Sequence, residues 1–388
     1  MLFLLLAFFT FVRSMKAASY TLKKTLRFKR WSRKGYAVFN SVRNEVVIRT
    51  LSVDTATTLL PKSKQSHRNM SFILALEERV MNGGQVTYEE ALLLAESLDR
   101  EALYAAADRI RTHFHGQRVD LCSIANARSG RCSENCKWCS QSAFHHTDIE
   151  VYDLIPGEKA VRQALANEKA GVRKFSLVTS GRTISHRHLD QLCDIYHTLR
   201  RESGLELCAS MGLLDREKMQ KLYDAGVRNY HCNIETAPSY FPSLCTTHTI
   251  DEKRETLRIA REVGMKRCSG GIIGMGETAA QRIEMAVALR EMAIESIPVN
   301  VLNPIPGTPL EGMPRLSDEE ILTTVAVFRF VNPQAWIRFA GGRTLILGIQ
   351  DKALRAGVNA TIVGDMLTTK GITMEEDIAH IRSLGFEC

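Results

Sequence analysis

From Thr87 onward the apolar positions recur at intervals of three and four, so that YEEALLLAESL and EALYAAADRIRTHFHG read as amphipathic helices, the second stopped by Gly116. Beyond Gly116 the pattern switches repeatedly between strand-like and helical periods. Short apolar runs (VDLCSI, KFSLVTS, LELCAS, NYHCNIE, KRCSGGIIGM, IPVNVLNP, WIRFAGG, ATIVGD) alternate with amphipathic stretches such as EKAVRQALANEKAGV, HLDQLCDIYHTLRRESG and MEEDIAHIRSLG. Counted from VDLCSI, they form eight strand–helix units. Eight units predict an α/β fold, a parallel sheet closed into a (β/α)8 barrel of TIM type with its helices outside; an open doubly wound sheet is the alternative. The expected organisation is N-terminal helices over 70–118 and the barrel with a C-terminal helix over 119–388.

The first 69 residues differ in texture. They hold 14 of the 51 Lys and Arg but only two of the 43 acids, Glu45 and Asp54, a net +12. The remainder is therefore −4, and the overall +8 gives no argument for a nucleic-acid partner of the body that carries the chemistry. MLFLLLAFFTFV is apolar for 12 residues, too short to span a bilayer comfortably, and its positive charges follow it, the reverse of a secretory signal. The expectation is a basic extension outside the fold, a mis-assigned start with translation from Met70 or a targeting segment. Ten cysteines without a paired framework suit a reducing, cytoplasmic setting with no membrane partner.

RCSENCKWCSQ changes the picture, because Cys132, Cys136 and Cys139 sit four and three residues apart in one loop after the first barrel strand. Three thiolates so close can wrap a corner of a cubane iron–sulfur cluster, whereas disulfides between them would close very small loops. A zinc site would more naturally show two CxxC pairs, and the second is missing. The fourth iron of such a cluster stays open to chelation by adjacent amine and carboxylate groups, and S-adenosylmethionine carries both. The CxxxCxxC spacing with Trp138 before the last cysteine resembles the cluster loop of radical S-adenosylmethionine enzymes.

Barrels gather ligands at the C-terminal ends of their strands. The strand runs carry polar residues where plain aliphatics would be expected: Ser176, Cys208, Cys232 with Asn233 and Glu235, Cys268, Asn300 and Arg338. A lone buried Cys is ordinarily a small hydrophobe, and Cys193 and Cys245 are read that way. Arg338 together with three strand cysteines points instead to a second inorganic site, because a buried Arg is costly without an anionic partner. GGIIGMGE (270–277) lacks the Lys-Ser/Thr of a phosphate loop and reads as a strand whose glycines let a cofactor approach the backbone. PIPGTPLE is a turn, Thr368 and Thr369 of LTTKG flank a helix or approach substrate, and Cys122, Cys388 and the His145–His146 pair receive no assignment.

From about Met70 to the C-terminus the chain resembles biotin synthases. The segments that carry the likeness are RCSENCKWCSQS, LELCASMG, NYHCNIETAPSYF, RCSGGIIGMGET, IPVNVLNPIPGTPLE and WIRFAGGR. The resemblance implies that Cys132, Cys136 and Cys139 hold a [4Fe-4S] cluster, and that Cys208, Cys268 and Arg338 surround an auxiliary cluster, [2Fe-2S] in the usual family form. It further places Asn233 and Asn300 near dethiobiotin, Glu235 near the adenosylmethionine ribose, and Gly271, Gly274 and Trp138 at the adenosylmethionine site. The implied reaction uses 5′-deoxyadenosyl radicals to insert sulfur between C6 and C9 of dethiobiotin, with electrons from a flavodoxin or ferredoxin, in a homodimer. One departure stands out: Ser176 occupies the place of a third auxiliary cysteine, and a hydroxyl is a poor soft ligand. Cys232 is the candidate replacement thiolate, with a possible change of nuclearity. The competing functions are another radical enzyme on the same barrel, of hydrogenase-maturation or methyl-transfer type, and a non-catalytic iron–sulfur or zinc protein.

Overall fold

A computed structural model describes residues 36–42, 45–51, 62–369 and 373–388, with side chains from residue 69 onward. The chain separates into two compact units, Met1–Gln65 and Ser66–Cys388. In the first, β1 (Tyr36–Val42) and β2 (Glu45–Leu51) pair antiparallel, Tyr36 opposite Leu51. They fall inside the expected basic extension, most of which lies outside the described residues. Helix α1 (Lys62–Met81) begins before Met70, the residue at which the composition changes. Then α2 (Tyr88–Ala95) starts on a Thr87/Glu90 capping box, and α3 (Arg100–His115) ends at Gly116 with φ +62°.

Among the described residues of the second unit, eight parallel strand positions close into a barrel, as the eight-fold pattern predicts. They are β3 (Asp120–Arg128), β4 (Lys174–Thr179), β5 (Glu206–Ser210), β6 (Asn229–His231), a strand in two pieces β7 (Lys266–Cys268) and β8 (Gly271–Ile273), β9 (Ser296–Val301), β10 (Trp336–Phe339) and β11 (Ala360–Ile362). Pairing runs β10-β11-β3-β4-β5-β6-β7-β9, with β8 continuing along β9, and β10 pairs with β9 to complete the ring. The outer layer is α4 (Gly157–Lys169), α5 (His186–Glu202), α6 (Arg216–Asp224), α7 (Ile250–Glu262), α8 (Ala279–Glu291), α9 (Asp318–Val331), α10 (Gln350–Leu354) and α11 (Met374–Ser383). Capping boxes at Thr249/Glu252, Thr278/Gln281 and Ser317/Glu320 start α7, α8 and α9 directly after strand-following loops.

The two-residue period of the strands divides their side chains between helices and interior. On β3, Ser123 faces outward and accepts a hydrogen bond from Asn167 of α4 at 2.8 Å. Its neighbours Asp120 and Cys122 face inward, Asp120 meeting Lys174 of β4 at 3.1 Å. Phe175 and Leu177 likewise pack outward with no exposure, leaving Lys174 and Ser176 inside.

The break between β7 and β8 falls at Gly270, where a Cβ would lie 1.9 Å from the carbonyl oxygen of Pro298. Backbone cannot yield as a flexible side-chain tip can, so Gly270→Ala is expected to lower the unfolding free energy by about 3 kcal/mol, read as a fall in the urea midpoint at unchanged slope.

Candidate metal centre and barrel interior

The loop after β3 is tied to itself by its own backbone. Cys132 N–H donates to Gln141 O at 3.0 Å, Ala143 N–H to Cys132 O at 2.8 Å, and Cys139 N–H to Cys136 O at 3.1 Å, while the Ser142 hydroxyl donates to Glu134 O at 2.6 Å. This turn brings Cys132, Cys136 and Cys139 together as electrostatic neighbours. Burial pushes the Cys139 thiol up to about 11 and raises Cys132, while Cys136 is raised by its hydrogen bond to Cys245 and by burial. Buried thiols of this kind become ligands when a cation displaces their protons. Trp138 stands edge-on to Phe241, ring centroids 6.5 Å apart, and Phe241 packs on His248 at 5.4 Å.

Cys245 is more than the small hydrophobe the sequence suggested. Its sulfur lies 3.6 Å from that of Cys136 and 3.4 Å from His248 Nδ1, and His248 Nδ1 lies 2.5 Å from Glu134 Oε2. The hydrogen bonds from Cys136, His248 and Thr247 draw its pKa down to about 3. Cys136, Cys245 and His248 therefore form a second compact set of soft donors, within 4.8 Å of one another, that shares a cysteine with the loop. The CTTH spacing at 245–248 was the available signal. His145 Nε2 approaches Cys136 O at 3.2 Å, and the Thr368 and Ser140 hydroxyls meet at 3.3 Å beside the same loop.

Glu235 is buried in a left-handed backbone conformation, φ +72°, 3.9 Å from Lys253 Nζ. Burial raises its carboxyl pKa against the pull of Lys253. Its carbonyl accepts from Ile272 N–H at 2.7 Å, and a Cβ at Gly271 would meet that carbonyl at 2.3 Å. The glycine at 271 is thus required first by strand packing. Gly274, φ +96°, and Met275 donate their backbone N–H groups to the Glu277 carboxylate at 2.8 Å each. Both strand asparagines clasp backbone: Asn233 Oδ1 accepts from Gly270 N–H at 3.0 Å, while Asn300 donates to Gly271 O at 2.9 Å and accepts from Gly341 N–H at 2.7 Å.

Deeper in the barrel, towards the strand N-termini, lies a layer rich in sulfur. Cys208 is paired in register with Ser176, and the thiols of Cys208 and Cys122 are electrostatic neighbours. Cys268 has Arg338, Cys122 and Lys174 as charged or ionisable neighbours, and its thiol lies 3.5 Å from the Ser296 hydroxyl. Arg338 is neutralised by Asp120 and also donates to Thr361 O at 3.0 Å, so its anionic partner is a protein carboxylate. Ser176 is 5% exposed, and its hydroxyl has no hydrogen-bond partner among the described residues. Cys232 stands apart: its ionisable neighbours are Lys253 and Glu235, not Cys208, Cys268 or Arg338. Cys193 packs in α5 as expected of a buried small residue.

A three-cysteine loop at the C-terminal mouth of a (β/α)8 barrel defines the radical S-adenosylmethionine class, and residues 127–289 match the model of the Radical SAM superfamily. Residues 298–387 match the Biotin and Thiamin Synthesis associated domain. Biotin synthase of Porphyromonas gingivalis is 54% identical over 316 residues, 81% of this chain and 96% of that protein. That of Parabacteroides distasonis is 51% identical over 311 residues, 80% of this chain and 95% of the relative. The chain belongs to the biotin synthase family. Solved structures of methylornithine synthase (TM-score 0.70, 20% identity, 80% of this chain and 96% of that one) and of the hydrogenase maturase HydG from Carboxydothermus hydrogenoformans (TM-score 0.70, 16% identity, 84% and 80%) share the fold. Among the described residues no helix is long and apolar enough to cross a membrane.

Between mouth and sulfur layer, His231 lies 2.9 Å from Asn233 Oδ1 through Nε2 and 3.1 Å from Ser210 Oγ through Nδ1. Asn233 Oδ1 can only accept, so Nε2 carries the hydrogen of a neutral ring. Burial, aided by Lys253 and Arg338, lowers the His231 pKa to about 4 from an ordinary value of 6.5. The unfolded ring takes up its proton first on acidification, so the stability that neutral His231 contributes is complete above about pH 6.5 and is lost as pH falls towards 4. Urea midpoints measured between pH 7 and 4.5 should fall, and His231→Asn should flatten that slope.

Proposed function

We propose that this chain converts dethiobiotin to biotin by inserting sulfur between C6 and C9, the last step of biotin biosynthesis. The observation that carries the proposal is the order of groups along one barrel interior. The three-cysteine loop sits at the mouth, a layer with Asn233, His231 and Asn300 lies below it, and the layer with Cys208, Cys268 and Arg338 lies deeper still. A small substrate in the middle layer has a radical source on one side and a sulfur source on the other. When bound, the [4Fe-4S] cluster with S-adenosylmethionine supplies radical hydrogen abstraction, and the auxiliary iron–sulfur cluster supplies the sulfur atom.

The protein's own share is to hold, position and exclude water. Cys132, Cys136 and Cys139 would hold the [4Fe-4S] cluster at the barrel mouth. Glu235, with its carboxylate set by Lys253, receives the adenosylmethionine ribose, and the backbone at Gly271 and Gly274 with Trp138 lines the same molecule. Asn233 and Asn300 position dethiobiotin; their backbone clasps fix their rotamers before substrate arrives, which lowers the ordering cost of binding. Cys208, Cys268 and Arg338 surround the auxiliary cluster, [2Fe-2S] in the usual family form. A flavodoxin or ferredoxin provides the electron, the chain works as a homodimer in the cytoplasm, and ten free thiols suit that reducing setting.

The test is anaerobic. The chain is reconstituted with iron and sulfide, given reductant, S-adenosylmethionine and dethiobiotin, and 5′-deoxyadenosine and biotin are quantified by mass spectrometry. Both products are expected, and Cys139→Ala should reduce both to background. Deoxyadenosine without biotin would favour another radical reaction on this barrel, and neither product would favour a non-catalytic metal protein.

A further inference from the structure

We propose that Cys122 of β3 is the third thiolate of the auxiliary iron–sulfur site, and that Ser176, in the position where a cysteine is expected, donates a hydrogen bond to that site instead of ligating it. The inference rests on the auxiliary site of the preceding section and concerns which residues build it.

The strand geometry selects Cys122. Asp120 and Cys122 share the inner face of β3 because they are two apart and Asp120 reaches Lys174 and Arg338 across the interior. Lys174 and Ser176 on β4, and Glu206 and Cys208 on β5, repeat that arrangement one strand at a time, with Lys174 opposite Glu206 and Ser176 opposite Cys208. Lys174 Nζ lies 3.1 Å from Asp120 and 3.7 Å from Glu206, which confirms that this first inner layer is continuous. Cys122 is in register with Lys174, one inner position nearer the strand N-termini than Ser176 and Cys208, which are in register with each other, and Cys268 and Arg338 approach these groups from the far side of the barrel. The Cys122 and Cys208 thiols are electrostatic neighbours, and Arg338 is a charged neighbour of both Cys122 and Cys268. Three sulfurs and one guanidinium thus face one another.

Cys232 lies one residue beyond β6, whose alternation gives the interior to His231, which meets Ser210 and Asn233. Tyr230 turns outward and is fully buried, and Cys232 falls on its side of the strand, with Lys253 of the outer helix α7 as its first charged neighbour.

The Ser176 hydroxyl supplies a second, independent observation. It is buried, aimed into this layer, and unpartnered among the described residues. Buried hydroxyls are nearly always hydrogen-bonded, so an orphan here points to an acceptor that occupies the layer when the protein is loaded. A sulfide or thiolate is such an acceptor, and a neutral hydroxyl donates to it without giving up its proton. Ligation by the same oxygen would require that proton to be lost, and an alkoxide is a hard match for iron–sulfur chemistry. The thiol stands on the neighbouring strand, one inner position nearer its N-terminus, and the hydroxyl takes the place on β4.

The experiment compares wild type, Cys122→Ser, Cys232→Ala and the double variant Cys122→Ala/Ser176→Cys after anaerobic reconstitution, by iron and sulfide content per chain and by Mössbauer spectroscopy. Wild type should carry iron beyond the roughly four atoms of the loop cluster. Cys122→Ser should fall to about that loop complement while still cleaving S-adenosylmethionine. Cys232→Ala should keep the wild-type content, and the double variant, which returns a thiol to β4, should recover the extra iron. Full iron content in Cys122→Ser, or its loss in Cys232→Ala, would overturn the proposal. If Cys122→Ser fails to fold, recovery or loss of the extra iron in the double variant decides. Wild type holding only the loop's iron would overturn the auxiliary site itself, a result distinct from misassigned ligands.

Discussion

The ion pair between Arg338 and Asp120 is the constraint on which the interior depends. A guanidinium 4% exposed costs several kcal/mol to desolvate unless an anion meets it. Arg338 lies on β10 and Asp120 on β3, with β11 between them. Ala360 is the β11 residue in register with both, so one small side chain leaves space for the pair to close over it. Burial alone would raise the Asp120 carboxyl, but Arg338 and Lys174 together hold it below its ordinary value. The pair therefore joins the last strands of the barrel to the first, and Lys174 extends it to Glu206 on β5.

The barrel was legible in the sequence because eight short apolar runs alternate with amphipathic helical stretches. The reasons for individual residues were less legible. The glycines at 270 and 271 read as room for a cofactor, yet the groups they avoid are the carbonyls of Pro298 and Glu235, which come from other strands. Asn233 and Asn300 read as substrate residues, and nothing local indicates that both also clasp neighbouring backbone.

The cysteines separate in the same way. Cys132, Cys136 and Cys139 announce themselves by spacing, because their contacts are local. Cys245 and Cys136 are 109 residues apart and meet only through the fold. Cys122 carries no local signal, since a single thiol in an apolar run looks like packing, and its meaning comes from its inward face, beside Cys208 and Arg338. Cys232 attracted attention by standing beside Asn233, but its ionisable neighbours are Lys253 and Glu235.

The salt-bridged floor has a consequence for how the barrel receives a guest. Asp120, Lys174, Glu206 and Lys266 link three neighbouring strands and one more beyond β6 through contacts of 3.0–3.7 Å, and Arg338 locks the remaining side. These charges are paired across the strands before any ligand arrives, so the base of the barrel is fixed in advance, and what adapts to a guest is left to the opposite end, where the cysteine loop lies.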